Sequence, residues 1–159
     1  MALGLVNDSK KSTKTFIYAL GLGSNLGDMH AIIQSAKNKL CGSGMSLHFE
    51  TPIYGTQPVG LVADRVFLNQ LILVSSEKPP LEMLGQIQKI EESLGRTRSV
   101  RWENRLIDID IIEAWFEGKL HHVDHSQLVV PHPAISDRWF LSLPLRSVRR
   151  FVYNRLLKS

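Results

Sequence analysis

Cysteine is nearly missing from this chain: Cys41 stands alone among 159 residues, so no internal disulfide can form. That scarcity suits a reducing compartment, and a cytoplasmic location is expected. A lone thiol of this kind is expected to serve as a small core residue. No apolar run approaches the roughly 20 residues of a membrane-spanning helix, so no membrane partner is expected. The opening segment MALGLVNDSKKSTK has only a short apolar run and no charged leader before it, which argues against a signal peptide. Residues 1–14 are expected to form a mobile tail and residues 15–159 a single domain. A strong excess of one charge is also missing. With 19 Lys+Arg against 15 Asp+Glu the net charge is +4, which suits an anionic ligand but does not argue for nucleic acid. There is no internal repeat, low-complexity tract or linker. What is present, 43% apolar and 21% charged residues, is the composition of an ordinary globule long enough for a core.

Thr15 to Gly21 is a mostly apolar run that predicts an interior strand. The loop Gly23-Ser24-Asn25-Leu26-Gly27-Asp28 follows, with Asp28 an N-cap for a helix to about Leu40, which Gly42-Ser43-Gly44 ends. Residues 45–54 and 66–76 predict two strands around a Gly/Pro-containing loop at 55–65. Pro79-Pro80 opens a second helix with Leu81, Leu84, Ile87, Ile90 and Leu94 at near-helical spacing and Gly95 as its stop. A strand is expected from about Leu106 to Phe116, a polar hairpin or loop over 117–127, and a short helix after Pro133. The closing RSVRRFVYNRLLKS is basic and amphipathic and reads as a solvated terminal helix. The order βαββαβ predicts a ferredoxin-like α+β fold, with helices packed on one face of an antiparallel sheet.

Residues 95–110, GRTRSVRWENRLIDID, carry arginines at 96, 98, 101 and 105 and then two aspartates one residue apart. On a strand, Ile107, Ile109 and Ile111 would face the core and Asp108 and Asp110 the opposite side. Their Cα atoms would lie about 6.6 Å apart, so both carboxylates could ligate one Mg²⁺ ion or bridge a pair. A half-buried strand with an acidic solvent face would show the same alternation. The guanidinium forks nearby match phosphate oxygens and favour the metal-and-polyanion alternative. Gly21, Gly23 and Gly27 miss the spacing of a dinucleotide fingerprint and fit a tight turn. His121, His122, Asp124 and His125 lie in the most hydrophilic loop without a fixed ligand pattern, which fits a solvated loop. His132 lies between Pro131 and Pro133, whose fixed backbone suits an aimed side chain, either packed or touching phosphate.

With VPHPAISDRWF at 130–140, YALGLGSNLGD at 18–28, TPIYGTQPVG at 51–60 and FLNQ at 67–70, this segment resembles the 6-hydroxymethyl-7,8-dihydropterin pyrophosphokinase family of folate biosynthesis. Motif order and approximate spacing agree over residues 16–146. The resemblance implies transfer of diphosphate from ATP to the hydroxymethyl oxygen of a reduced pterin, releasing AMP. It implies two Mg²⁺ ions on Asp108 and Asp110, and places Arg96 and Arg105 beside them in the catalytic set. Arg98 and Arg101, like Arg96 and Arg105, match the family's mobile-loop arginines, and His132 and Arg138 match residues on the phosphate and substrate side. Gln88 and Glu91, one turn apart on the expected polar face of the second helix, match positions beside the nucleotide. For the pterin, Phe67 and Phe140 align with a ring sandwich, Phe67 standing where tyrosine is common. Asn69 would meet the pterin edge, Thr56 and Val59 align with a closing loop, and Trp102 would lie over the second substrate.

Two departures from the family stand out. RWENR replaces the glycine and proline that often follow the tryptophan, and the Pro-containing tail often found after the position of Leu145 is missing. Four positive charges and only Glu103 against them over residues 96–105 predict a segment that is open until an anion binds. A monomer and a weak homodimer both fit. Two other functions fit the strand alone: a DxD metal-dependent nucleotide-sugar enzyme preferring Mn²⁺, and a ferredoxin-like RNA-binding module, whose aromatic signatures are not found here.

Overall fold

The computed structural model describes residues 14–57, 65–96, 105–137 and 139–156. Strict alternation shapes its centre. Strand β1 (Phe16–Ser24) turns Tyr18, Leu20 and Leu22 to one face and Ala19, Gly21 and Gly23 to the other. It runs three residues past the expected Gly21, into the segment expected as a loop. Antiparallel to it lie β4 (Phe67–Ser76) on one side and β5 (Asp108–Phe116) on the other. The stretch expected as one strand at 45–54 is two, β2 (Ser46–Glu50) and β3 (Tyr54–Thr56), both along the outer edge of β4. Pro52 in the gap has no N–H for the ladder, and the Thr51 hydroxyl accepts from the Leu71 N–H at 3.1 Å instead. With β6 (Lys119–Leu120) the path is β2-β4-β1-β5-β6, the ferredoxin-like order within an α+β fold.

Helix α1 (Met29–Gly42) starts where Asp28 accepts from the Ala31 N–H at 3.1 Å. Helix α2 (Pro80–Ser93) buries Met83, Ile87 and Ile90, whereas Leu81, expected in that stripe, is exposed. Both helices cover the face carrying Tyr18, Leu20, Leu22, Ile72 and Val74.

The other face is covered too, contrary to the expected one-sided packing. Helix α3 (Trp139–Phe151), which joins the short helix expected after Pro133 to the first part of the expected solvated terminal helix, lays Leu141, Leu145 and Val148 on Ala19, Leu71, Leu73, Ile112 and Trp115. Each such buried side chain stabilises the fold by about 1.5–3 kcal/mol. A bulge in β5 opposite Ala19/Leu20 turns Ile112 and Glu113 to this side together. Glu113, 1% exposed, there receives the Nε of Arg149 from α3 at 3.0 Å. The basic face of α3 is thus tied to the sheet by a buried carboxylate.

Past β5, Glu117 and Gly118 both take positive φ in a tight two-residue hairpin to β6. A small sheet of β7 (Val123–His125) and β8 (Leu128–Val130) follows, then a 3-10 turn over Pro133–Ile135. His121 sets its ring edge-on against Phe16, 5.5 Å between centroids. Cys41, expected in the core, is exposed at the end of α1. Of the expected tail, residues 1–13 lie outside the described ones, and the Lys14 ammonium stands 5.9 Å from the Phe116 ring centroid. Among the described residues no helix is long and apolar enough to cross a membrane.

Candidate functional site

Two glycines on the central strand define the floor of the site. Gly23 lies opposite Asn69 on β4 and Asp108 on β5, and Gly21 lies opposite Leu71 and Asp110. A Cβ at Gly23 would stand 3.3 Å from Asn69 Oδ1, and one at Gly21 would stand 3.2 Å from the Ile112 side chain. The missing side chains therefore leave a trough between the outer strands, about 10 Å across at two strand spacings. Above it opens a cavity of about 480 Å³. In sequence Gly21 ends an expected strand and Gly23 opens an expected loop; their alternation on one strand facing Asp108 and Asp110 is the signal that reveals them.

The β5 pattern holds as expected. Ile107, Ile109 and Ile111 are buried in the core under α1 and α2, while Asp108 and Asp110 line the cavity from the opposite face. Arg96 Nη1 lies 3.0 Å from Asp108 Oδ1, and Arg105 Nη1 lies 2.8 Å from Asp108 Oδ2. Each arginine is anchored from behind. The Arg105 N–H donates to Asn25 Oδ1 at 2.6 Å, while the Asn25 N–H donates to the Arg105 carbonyl at 3.1 Å. Arg96 is held by Glu91, through its backbone carbonyl at 3.0 Å and through a short ion pair with its carboxylate. Burial works against the Arg96 charge, but Asp108 and Glu91 outweigh it and hold its pKa above the ordinary arginine range.

Glu91 corrects an expectation. It is 4% exposed, not on the polar face of α2, and it does not line the cavity. Its Oε1 accepts the Ile109 N–H at 2.7 Å, between the two aspartates. Burial raises its pKa from 4.5 to about 7, the Ile109 N–H and Arg96 pulling the other way. Gln88, its expected companion, is exposed on α2 and also lies away from the cavity lining.

On the β4 side, Thr56, Phe67 and Asn69 line the same cavity, with Asn69 Nδ2 donating to Thr56 Oγ1 at 2.8 Å. Phe140, at the start of α3, lines it as well. Tyr54, opposite Asn69 on β3, was not anticipated; burial raises its phenol to about 12, so it stays protonated. His132 enters between its prolines, its N–H donating to the Ile112 carbonyl at 2.8 Å. Its Nδ1 accepts from the Ala134 N–H at 3.1 Å, which leaves the proton of a neutral ring on Nε2. Val59, Arg98, Arg101, Trp102 and Arg138, with the segment expected to close over the site, lie outside the described residues.

In this ferredoxin-like domain Asp108 and Asp110 on β5, with Arg96 and Arg105 from the segments beside it, face amide and aromatic side chains across a glycine floor, a charge arrangement that suits a polyphosphate. Residues 19–150 match the family described as 7,8-dihydro-6-hydroxymethylpterin-pyrophosphokinase (HPPK). Over 130 residues the chain is 35% identical to the "2-amino-4-hydroxy-6-hydroxymethyldihydropteridine pyrophosphokinase" of Bacillus subtilis (strain 168), covering 81% of this chain and 75% of that one. It is equally identical, 35% over 130 residues, to the protein of the same name from Methylorubrum extorquens, covering 81% and 80% of the two chains. With that of Porphyromonas gingivalis it shares 34% identity over 140 residues, covering 86% and 93%. The chain belongs to the HPPK family. Neither a nucleotide-sugar enzyme nor an RNA-binding module finds support beside that membership.

Proposed function

We propose that this chain transfers diphosphate from ATP to the hydroxymethyl group of 6-hydroxymethyl-7,8-dihydropterin in folate biosynthesis, releasing AMP. The observation that carries it is the row Asn69–Gly23–Asp108 across three adjacent strands, which sets an amide and a carboxylate on opposite sides of one trough. Asp108 and Asp110 would hold two Mg²⁺ ions; hard carboxylate oxygens on one strand face suit Mg²⁺, which keeps several water or phosphate ligands. When bound, the ions neutralise phosphate charge and orient the triphosphate.

The rest falls to the chain's own groups. Arg96 and Arg105 present guanidinium N–H groups to phosphate oxygens, and the Nε2–H of His132 adds a further donor. Phe67 and Phe140 take the pterin faces, and Asn69 offers its edge a donor and an acceptor, fixed by Thr56. Arg98, Arg101 and Arg138 act on the ATP side, and Val59 and Trp102 on the pterin side. The enzyme acts in the cytoplasm as a monomer or weak homodimer, with no nucleic-acid or membrane partner.

Asp110→Ala tests the metal assignment. Ile109 and Ile111 carry the packing of that part of β5, so the variant should keep its fold and lose turnover. Near-normal turnover with Mg²⁺ would remove the metal from this position.

A further inference from the structure

We infer that Glu91 is a positioning residue for the reaction: from behind the cavity it shares the Arg96 guanidinium with Asp108, so that Asp108 does not hold it alone, and fixes the backbone between the two aspartates. This rests on the proposed function above. A buried carboxylate on a helix otherwise packed into an apolar core needs compensation. Glu91 finds it in two groups only one step from the chemistry, the Ile109 N–H at 2.7 Å and the guanidinium of Arg96. Arg96 Nη1 is shared, since it also lies 3.0 Å from Asp108 Oδ1.

That sharing has a consequence. One cation stands between two carboxylates, one buried behind the site and one lining it. With Glu91 ionised, part of the guanidinium's attraction is directed away from Asp108. Without that charge Arg96 is drawn wholly onto Asp108 and competes with Mg²⁺ for its oxygen. Glu91 thus sets how readily Asp108 exchanges arginine for metal. Outer groups that orient metal ligands typically change affinity or activity about 10–100-fold when altered.

The test uses Glu91→Gln, Arg96→Met and the double variant. The probes are a non-hydrolysable ATP analogue titrated at graded Mg²⁺ and the pterin titrated separately. Gln keeps an acceptor for the Ile109 N–H and removes only the charge. Glu91→Gln should raise the Mg²⁺ needed for half-maximal analogue binding about 10-fold or more, with pterin affinity within about 2-fold of wild type. In the Arg96→Met background the same substitution should leave the Mg²⁺ requirement unmoved, since the cation that Glu91 shares with Asp108 is gone and Arg105 does not touch Glu91. Thermal midpoint should not fall in Glu91→Gln.

An unchanged Mg²⁺ requirement, an equal loss for both ligands, or an unfolded Glu91→Gln would overturn the inference, as would a full effect of that substitution on top of Arg96→Met. Wild-type protein that binds neither the analogue nor the pterin would instead refute the proposed function. The two failures are therefore separable.

Discussion

Glu91→Gln also makes a stability prediction whose sign is opposite to that for most buried-residue substitutions. The carboxyl titrates at about 7 in the fold against 4.5 in the unfolded chain, because burial disfavours its ionised form. Between those values the native state holds the extra proton, so this group's contribution is fully present below about pH 4.5 and is lost as pH rises through about 7. At about 1.36 kcal/mol per pH unit the whole loss is about 3 kcal/mol, of which about 2–3 kcal/mol falls between pH 5 and pH 8. Gln resembles the protonated acid and does not titrate. Urea unfolding of both proteins across this range, without Mg²⁺ or nucleotide, should give curves that agree near pH 5 and diverge as pH rises. Near pH 8 the variant should be the more stable of the two, while the other titrating groups cancel in the difference. Parallel curves, or a variant less stable at every pH, would refute the argument and mean that the carboxylate is fully compensated by Arg96 and Ile109.

Three further outcomes are expected. Phe140→Ala should weaken pterin binding by about 1–3 kcal/mol, the range for losing one stacking partner of a flat ring, and change nucleotide affinity much less; calorimetric titration with equal losses would make Phe140 a packing residue of α3 only. Gly23→Ala places a Cβ 3.3 Å from Asn69 Oδ1, so pterin KM should rise with little change in thermal midpoint, and an unchanged KM would remove the trough from the pterin site. Arg149→Met orphans Glu113, which is 1% exposed, and should destabilise the fold by about 1–3 kcal/mol in urea without altering substrate affinities; no loss would mean the pair is dispensable to α3 docking.

The central strands were legible because alternation runs unbroken along β1 and along β5 up to its bulge: Ile109, Ile111 and the carboxylates beside them took the faces that period-2 geometry assigns. The starts of α1 and α2 were legible through Asp28 and Pro80. Glu91 was not, because a glutamate on a helix reads as solvent-facing unless its partners are known. Those partners, Arg96 and the Ile109 N–H, come from a helix end and a strand brought together only by the fold. The docking of α3 was hidden for a similar reason: its arginines suggested a solvated helix, but Glu113, turned inward by a bulge, meets Arg149. Gly21 at a strand end and Gly23 in a loop were visible, but their joint role was not, since a glycine that clears a trough and one that bends a chain look alike in sequence.

The central claim, diphosphate transfer across the glycine floor, is tested most directly by the nucleotide product. The purified protein is incubated with ATP, Mg²⁺ and 6-hydroxymethyl-7,8-dihydropterin, and nucleotides and pterins are separated by chromatography. One AMP should appear for each pterin diphosphate formed, with none when the pterin is left out. ADP accumulating in step with a singly phosphorylated pterin would contradict the account.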